Sequence, residues 1–223
     1  MIMSKVIISQ QTMMVLKNFA TINSSILIRE GNQLSTISVG ENAIAQYQCQ
    51  ETFPRTFGIY DLNQFLAGLS LFDDPVLEFD NETYVNIRSR NKTARYYFSS
   101  PEITLKAAPE KQVNFPGSDM EFSFTQQDLT ALLKARSVYE IPDLRINSEE
   151  DKVFLNLCDK ENETSNVYSQ SCSATTTGNH EVYMKMDNIR LLPGDYMVKI
   201  SSKLITEWKH TKLDLTYYIA CEP

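Results

Sequence analysis

At 223 residues the chain has room for two domains of about 110 residues each, and its 42% hydrophobic content with only 7 glycines suits ordinary globular cores. A formal net charge of −7 argues against a uniformly basic nucleic-acid binder, but leaves room for a basic lining on one surface of an acidic body. Cys49, Cys158, Cys172 and Cys221 show neither CxxC spacing nor a nearby histidine pair, so they read as reduced thiols in a cytosolic protein. The apolar run from Met1 to Ile8 is too short for a secretory signal or a membrane span, which leaves the sequons at Asn23, Asn81, Asn91 and Asn162 without meaning.

In chain order, Ser9-Gln10-Gln11 opens an amphipathic helix that runs to about Ala20. A strand follows at Ser25–Ile28, then a turn at Glu30-Gly31-Asn32. Asp61 caps a helical segment within Ile59–Leu69. Strands at Val76–Phe79 and Tyr84–Arg88 are punctuated by turns at Asp73-Asp74-Pro75 and Asp80-Asn81, and Tyr96-Tyr97-Phe98 closes the half on an aromatic strand. The three-proline stretch from Ser100-Pro101 to Phe115-Pro116-Gly117 reads as a connector. Thr125-Gln126-Gln127 then opens a second helix, running to about Arg136. Val153–Leu157 is a strand, and the polar stretch Glu161–Gly178 reads as a long surface hairpin or loop. Met184–Leu191 forms further helical turns with Asp187 as cap and Pro193 as stop, before strands at Tyr196–Ile200 and Tyr217-Tyr218-Ile219.

The chain therefore states one pattern twice. The paired landmarks are 116, 125 and 121 residues apart, a period of domain size. We place the domains at residues 1–108 and 121–223, joined by a connector at 109–120. Helices set among consecutive hairpin strands define an α+β class with antiparallel sheet.

At 100° per residue, Met13, Leu16, Phe19 and Ala20 gather on one side of the first helix with Lys17 on its flank, and Leu129, Leu132 and Leu133 form the buried stripe of the second. Lys134 projects from the polar face of the second helix, while Arg136 falls back toward the stripe and must snorkel. Lys17, Lys134, Arg136, Lys185 and Arg190 lie on or beside the helical segments of both halves. The acids concentrate elsewhere, in Asp73-Asp74, Glu78–Glu82, Glu149–Asp151 and Asp159–Glu163. Two readings stay open for these cations: solvated helix faces, or contacts to a nucleic-acid backbone. The tyrosine pairs are likewise either base-stacking platforms or, as alternation suggests, one core and one surface ring each.

Known catalytic signatures are missing. No G-x-x-x-x-G-K-[ST], G-x-G-x-x-G or G-x-S-x-G occurs, and His180 and His210 lack metal-ligand spacing. The expectation is a protein that is not an enzyme and holds no cofactor or metal. Trp208 reads as a packing residue.

Three stretches, Leu16–Ser24, Ile59–Leu66 and Leu192-Pro193-Gly194-Asp195-Tyr196, resemble the DNA polymerase sliding clamps of T-even-type bacteriophages, in order, length and spacing over most of the chain. The ending Tyr217-Tyr218-Ile219-Ala220 is also similar to the last strand of cellular clamps of the proliferating-cell-nuclear-antigen type. The resemblance does not extend over Asp159–Gly178, and Asp61–Leu69 carries no Lys or Arg. It implies the DNA clamp fold, with two similar domains of antiparallel sheet, helices inside, and three chains closing into a homotrimeric ring. The implied function is to encircle duplex DNA without sequence preference and tether the replicative polymerase for processive synthesis, with a further role in late transcription. The implied partners are duplex DNA, DNA polymerase, an ATP-dependent clamp loader and late-transcription factors, in the cytoplasm of the infected bacterial host, with no membrane. Under this reading Lys17, Lys134, Arg136, Lys185 and Arg190 line the DNA hole. Val113, Phe115, Tyr218, Ile219 and Ala220 form a pocket for partner tails, unless they merely seal the junction beside the connector. The competing class is an acidic viral scaffold or interaction protein with duplicated β-rich domains and no DNA contact.

Overall fold

A computed structural model describes residues 4–100, 106–149, 152–176 and 180–222. Pro101 of the connector, the Glu150-Asp151 pair and the Thr177-Gly178 end of the polar stretch lie outside the described residues. The chain divides into two compact units, Met1–Glu110 and Lys111–Pro223.

The first unit contains β1 (Ser4–Ile7), α1 (Gln10–Ile22), β2 (Ile26–Ile28), β3 (Gly31–Ile37), β4 (Ala43–Phe53) and β5 (Phe57–Ile59). It continues with α2 (Leu62–Leu69), β6 (Val76–Phe79), β7 (Tyr84–Ser89) and β8 (Lys92–Tyr97). Its strands pair antiparallel as β1-β6-β7-β8, β2-β5 and β3-β4. The second unit contains β9 (Met120–Phe124), α3 (Gln126–Tyr139), β10 (Asp143–Glu149), β11 (Lys152–Cys158), β12 (Tyr168–Thr176) and β13 (Glu181–Lys185). A 3-10 turn (Met186–Asn188), β14 (Tyr196–Ser201), β15 (Ile205–His210) and β16 (Leu215–Ala220) complete it. Its strands run β13-β10-β11-β12-β9-β14-β15-β16. The element order is the same in both units, and β9-β14-β15-β16 repeats the pairing of β1-β6-β7-β8. The long-period repeat of the sequence is thus a repeat of topology.

Local chemistry sets the helix starts. Ser9 caps α1 by accepting from the Thr12 amide at 3.1 Å, and Asp61 caps α2 by accepting from the Gln64 amide at 2.9 Å. Thr125 and Asp128 form a reciprocal capping box on α3, and the Asp195 carboxylate accepts from the Gln126 amide at 2.8 Å. At its other end α3 stops at Glu140, which takes a left-handed conformation (φ 54°) before Pro142.

The buried faces differ from those the periodicity predicts. On α1 the buried residues are Thr12, Val15, Leu16, Phe19 and Ile22, with Met13 and Ala20 only half-buried. A buried polar pair turns this face: the Thr12 hydroxyl donates to Glu51 at 2.6 Å. On α3 the stripe is Leu129, Leu132 and Ala135, and Leu133 is exposed. Arg136 follows Ala135 on that side, bonding to the carbonyl of Met186.

In the second unit, Trp208 lies edge-on to Phe122 and Phe124, with centroids 6.3 and 5.3 Å away. Its indole N–H donates to the Thr206 hydroxyl at 2.9 Å, which donates in turn to the Ile219 carbonyl at 3.1 Å. Tyr196 and Tyr217 hold the 192–196 segment: the Leu192 amide donates to the Tyr217 oxygen at 3.1 Å and the Tyr196 hydroxyl donates to the Leu192 carbonyl.

Two sequence expectations change here, and for the polar stretch the hairpin alternative holds. Met184–Leu191 is not a helix: β13 runs through Lys185 and only three residues form a 3-10 turn, ending well before Pro193, with Asp187 inside the turn rather than capping it. The polar stretch is half strand, because Tyr168, Gln170, Cys172 and Ala174 alternate with Ser169, Ser171 and Ser173, the latter three all exposed. Its seryl face conceals it from a search for hydrophobic runs. Finally, Tyr96 and Tyr97 split as half-buried and exposed, but Tyr217 and Tyr218 are both buried.

Candidate nucleic-acid interface and docking surface

The caps give a register between the two long helices. With Ser9 set against Thr125, the exposed stripe Gln10, Met14, Lys17 and Thr21 of α1 matches Gln126, Thr130, Leu133 and Ser137 of α3, all exposed. Lys17 therefore corresponds to Leu133, and Lys134 stands one position further on, about 100° around the helix. Both lysines are exposed and have no ion pair among the described residues.

The other three expected lining cations are engaged. Lys185 bonds the Asp143 carboxylate at 2.7 Å and lies 3.9 Å from Glu222; the Asp143 hydrogen bond raises its pKa. Arg136 pairs with the Asp187 carboxylate and donates to the Met186 carbonyl at 3.3 Å. Arg190 is exposed, and its Nε donates to the Asp187 carbonyl at 2.9 Å. The structure thus gathers Arg136 and Arg190 onto one residue, which sequence spacing does not reveal. The pairing of Asp187 with Arg136 and of Asp143 with Lys185 escapes sequence reasoning, since an ion pair between distant residues leaves no local pattern.

A second polar centre is equally invisible to local patterning. Glu51 on β4 is buried, accepting from the Ser9 amide at 2.5 Å and from the Thr12 hydroxyl at 2.6 Å, at the N-terminus of α1. Burial pushes its pKa up, but the hydrogen bonds from Thr12 and Ser9 outweigh it and the net shift is downward.

Strand register sorts the proposed pocket residues. In β16, Tyr217 and Ile219 face the core opposite Trp208 and Thr206, while Tyr218 and Ala220 face the other side opposite Glu207 and Ile205. Ile219, 1% exposed, lies in the core. Tyr218 is on the outward face yet buried, and its hydroxyl is pushed up to about 12 by that burial and by Glu207. Ala220 is exposed, and Val113 and Phe115 are half-buried. Burial likewise raises Cys49 and Cys172 to about 11 and Cys221 to about 12, so these thiols are not thiolates at neutral pH. His210 is buried, and its Nδ1 accepts from the Lys212 and Leu213 amides at 3.0 and 3.3 Å. Among the described residues no cluster of His, Cys, Asp or Glu could hold a metal ion, and no helix is long and apolar enough to cross a membrane.

The fold matches solved clamps. The structure of Proliferating Cellular Nuclear Antigen from Entamoeba histolytica superposes with a TM-score of 0.74, covering 99% of this chain and 98% of that one at 13% identity. The chain therefore has the clamp fold. A family profile described as DNA polymerase processivity factor matches residues 9–101. The sliding clamp of Vibrio phage KVP40 is 27% identical over 221 residues, 96% of this chain and 98% of that protein. The sliding clamp of Escherichia phage RB69 is 27% identical over 223 residues, 96% of each. The chain is thus similar to phage sliding clamps along nearly its whole length, and its first half to DNA polymerase processivity factors.

Proposed function

We infer that this protein encircles duplex DNA as a homotrimeric ring and tethers a replicative DNA polymerase for processive synthesis. The observation that carries the reading is the match to phage sliding clamps over 96% of the chain, and the tandem repeat of one topology supports it. Two like units in a row have two different ends, so self-association is heterologous and must close on itself to avoid filaments. The connector is residues 109–120. Lys17, Lys134 and Arg190 touch the DNA backbone transiently, with no base readout, which suits a sleeve that must slide. Val113, Phe115, Tyr218 and Ala220 offer partner tails a docking surface, available to the polymerase, to an ATP-dependent loader and to late-transcription factors. The role is mechanical rather than catalytic, and it is carried out in the cytoplasm of the infected host.

The test is loading onto closed circular DNA followed by linearisation, alongside native mass. A clamp is retained on circles, runs off linear ends and has the mass of three chains. A monomer at micromolar concentration with equal retention on both forms supports the acidic scaffold instead. The triple variant Lys17→Ala, Lys134→Ala, Arg190→Ala is expected to load poorly and to flatten the salt dependence by about 0.9 in log K per log salt for each cation removed from the phosphates. Wild-type behaviour of that variant at every salt concentration removes these residues from the lining.

A further inference from the structure

Asp187 engages two of the cations expected at the lining, Arg136 through its carboxylate and Arg190 through its backbone carbonyl. The Asp187 side chain is 78% exposed and pairs with the Arg136 guanidinium, itself 34% exposed, while the Asp187 carbonyl takes the Arg190 Nε at 2.9 Å. Arg136 arrives from α3, and Asp187 and Arg190 from the 3-10 turn and the segment after it, so separate elements converge on this residue. An ion pair this open to water contributes little to folding. Its larger consequence is electrostatic. A guanidinium recognises carboxylate and phosphate through the same fork of N–H donors, so the two compete for it.

We propose that Asp187 is a resident competitor for DNA phosphate, holding Arg136 in an internal pair so that this surface grips the duplex weakly. The proposal rests on the DNA-encircling reading and deepens it: the looseness needed for sliding is built in by a carboxylate as well as by a scarcity of cations. Lys185 is a different case. Its partner Asp143 has a side chain only 3% exposed and also accepts from the Lys160 amide at 3.0 Å, so that pair is structural. Among the described residues the first unit shows no such device, because the residue matching Arg136 in the helix register is Ala20. Asp187 acts through Arg136 and is a positioning residue.

The experiment is fluorescence anisotropy of a short labelled duplex titrated with the full-length assembled protein over a salt series. Wild type is compared with Asp187→Asn, Asp187→Glu, Arg136→Gln and the Asp187→Asn/Arg136→Gln double variant. Freeing one cation for phosphate steepens log K against log salt by about 0.9, so that the affinity falls about threefold further between about 50 and about 200 mM salt. Asp187→Asn is expected to show that steeper slope and tighter binding at low salt, Asp187→Glu to keep the wild-type slope, and the double variant to lose the gain. An unchanged slope in Asp187→Asn overturns the proposal, as does a gain that survives without Arg136, which marks a diffuse field effect. So does duplex binding too weak to detect in both wild type and Asp187→Asn at low salt. Retention on circular DNA and the Lys17→Ala/Lys134→Ala pair then report separately whether the DNA-encircling reading itself stands.

Discussion

Removing the Glu51 carboxylate should unfasten the start of α1. It is buried and receives two hydrogen bonds, from the Ser9 amide at 2.5 Å and from the Thr12 hydroxyl at 2.6 Å. Thr12 is itself fully buried, so its hydroxyl has no access to water once the acceptor is gone. Hydrogen bonds to a charged group are worth about 1.5–3 kcal/mol, and stranded buried donors cost about 1–3 kcal/mol each, without strict additivity. Glu51→Ala is therefore expected to cost about 2–4 kcal/mol. Glu51→Gln keeps one acceptor oxygen but loses the negative charge at a helix N-terminus, and about 1–2 kcal/mol is expected. The pH dependence has a definite sign. A carboxyl whose folded pKa lies below its ordinary 4.5 contributes stability above that value and loses it as pH falls through the folded value. The gap between wild type and Glu51→Gln should thus be full at neutral pH and close in acid. Urea unfolding followed by far-UV circular dichroism measures it. Trp208, the only tryptophan, reports the second unit alone and serves as an internal reference. A Glu51→Gln protein within about 0.5 kcal/mol of wild type at neutral pH, the scatter of a surface change, refutes the reasoning.

Two further perturbations test the second unit. At Gly194 an added methyl would sit 2.2 Å from His210 Nε2, and the imidazole is buried and anchored by two backbone amides, so Gly194→Ala should lose about 1–3 kcal/mol to overpacking, read as a lower midpoint of the Trp208 fluorescence transition. Tyr218→Ala removes an outward-facing buried ring beside Glu207 and should weaken binding of a polymerase C-terminal peptide at least tenfold by calorimetry with the assembly mass unchanged, on the scale of about 1.4 kcal/mol or more for a buried anchor; unchanged affinity moves the docking surface elsewhere.

Much of this architecture is written in local signals. The caps at Ser9, Asp61 and Thr125 need only a side-chain oxygen and an amide three residues on, so they are legible from spacing. The strands at 76–79, 84–88, 153–157 and 196–200 announce themselves by β-branched and aromatic runs between turns. The duplication is legible because both halves repeat the same caps and aromatic strands at a nearly constant offset, and from it follow the α+β class and the paired topology.

What only the tertiary structure decided involves partners distant along the chain. The buried side of α1 is set by Glu51, which lies 39 residues from Thr12, and helical periodicity contains no term for it. β12 exists because β11 and β9 supply its hydrogen bonds, although Ser169, Ser171 and Ser173 occupy one of its faces. Alternation along β16 places Ile219 inside and Tyr218 outside, but that Tyr218 is buried as well depends on what covers its face. The cations show the distinction most sharply. Sequence counts Lys17, Lys134, Arg136, Lys185 and Arg190 as five charges, and folding leaves them unequal, because a carboxylate brought within hydrogen-bond reach of Arg136 and of Lys185 offsets a charge that composition can only add up.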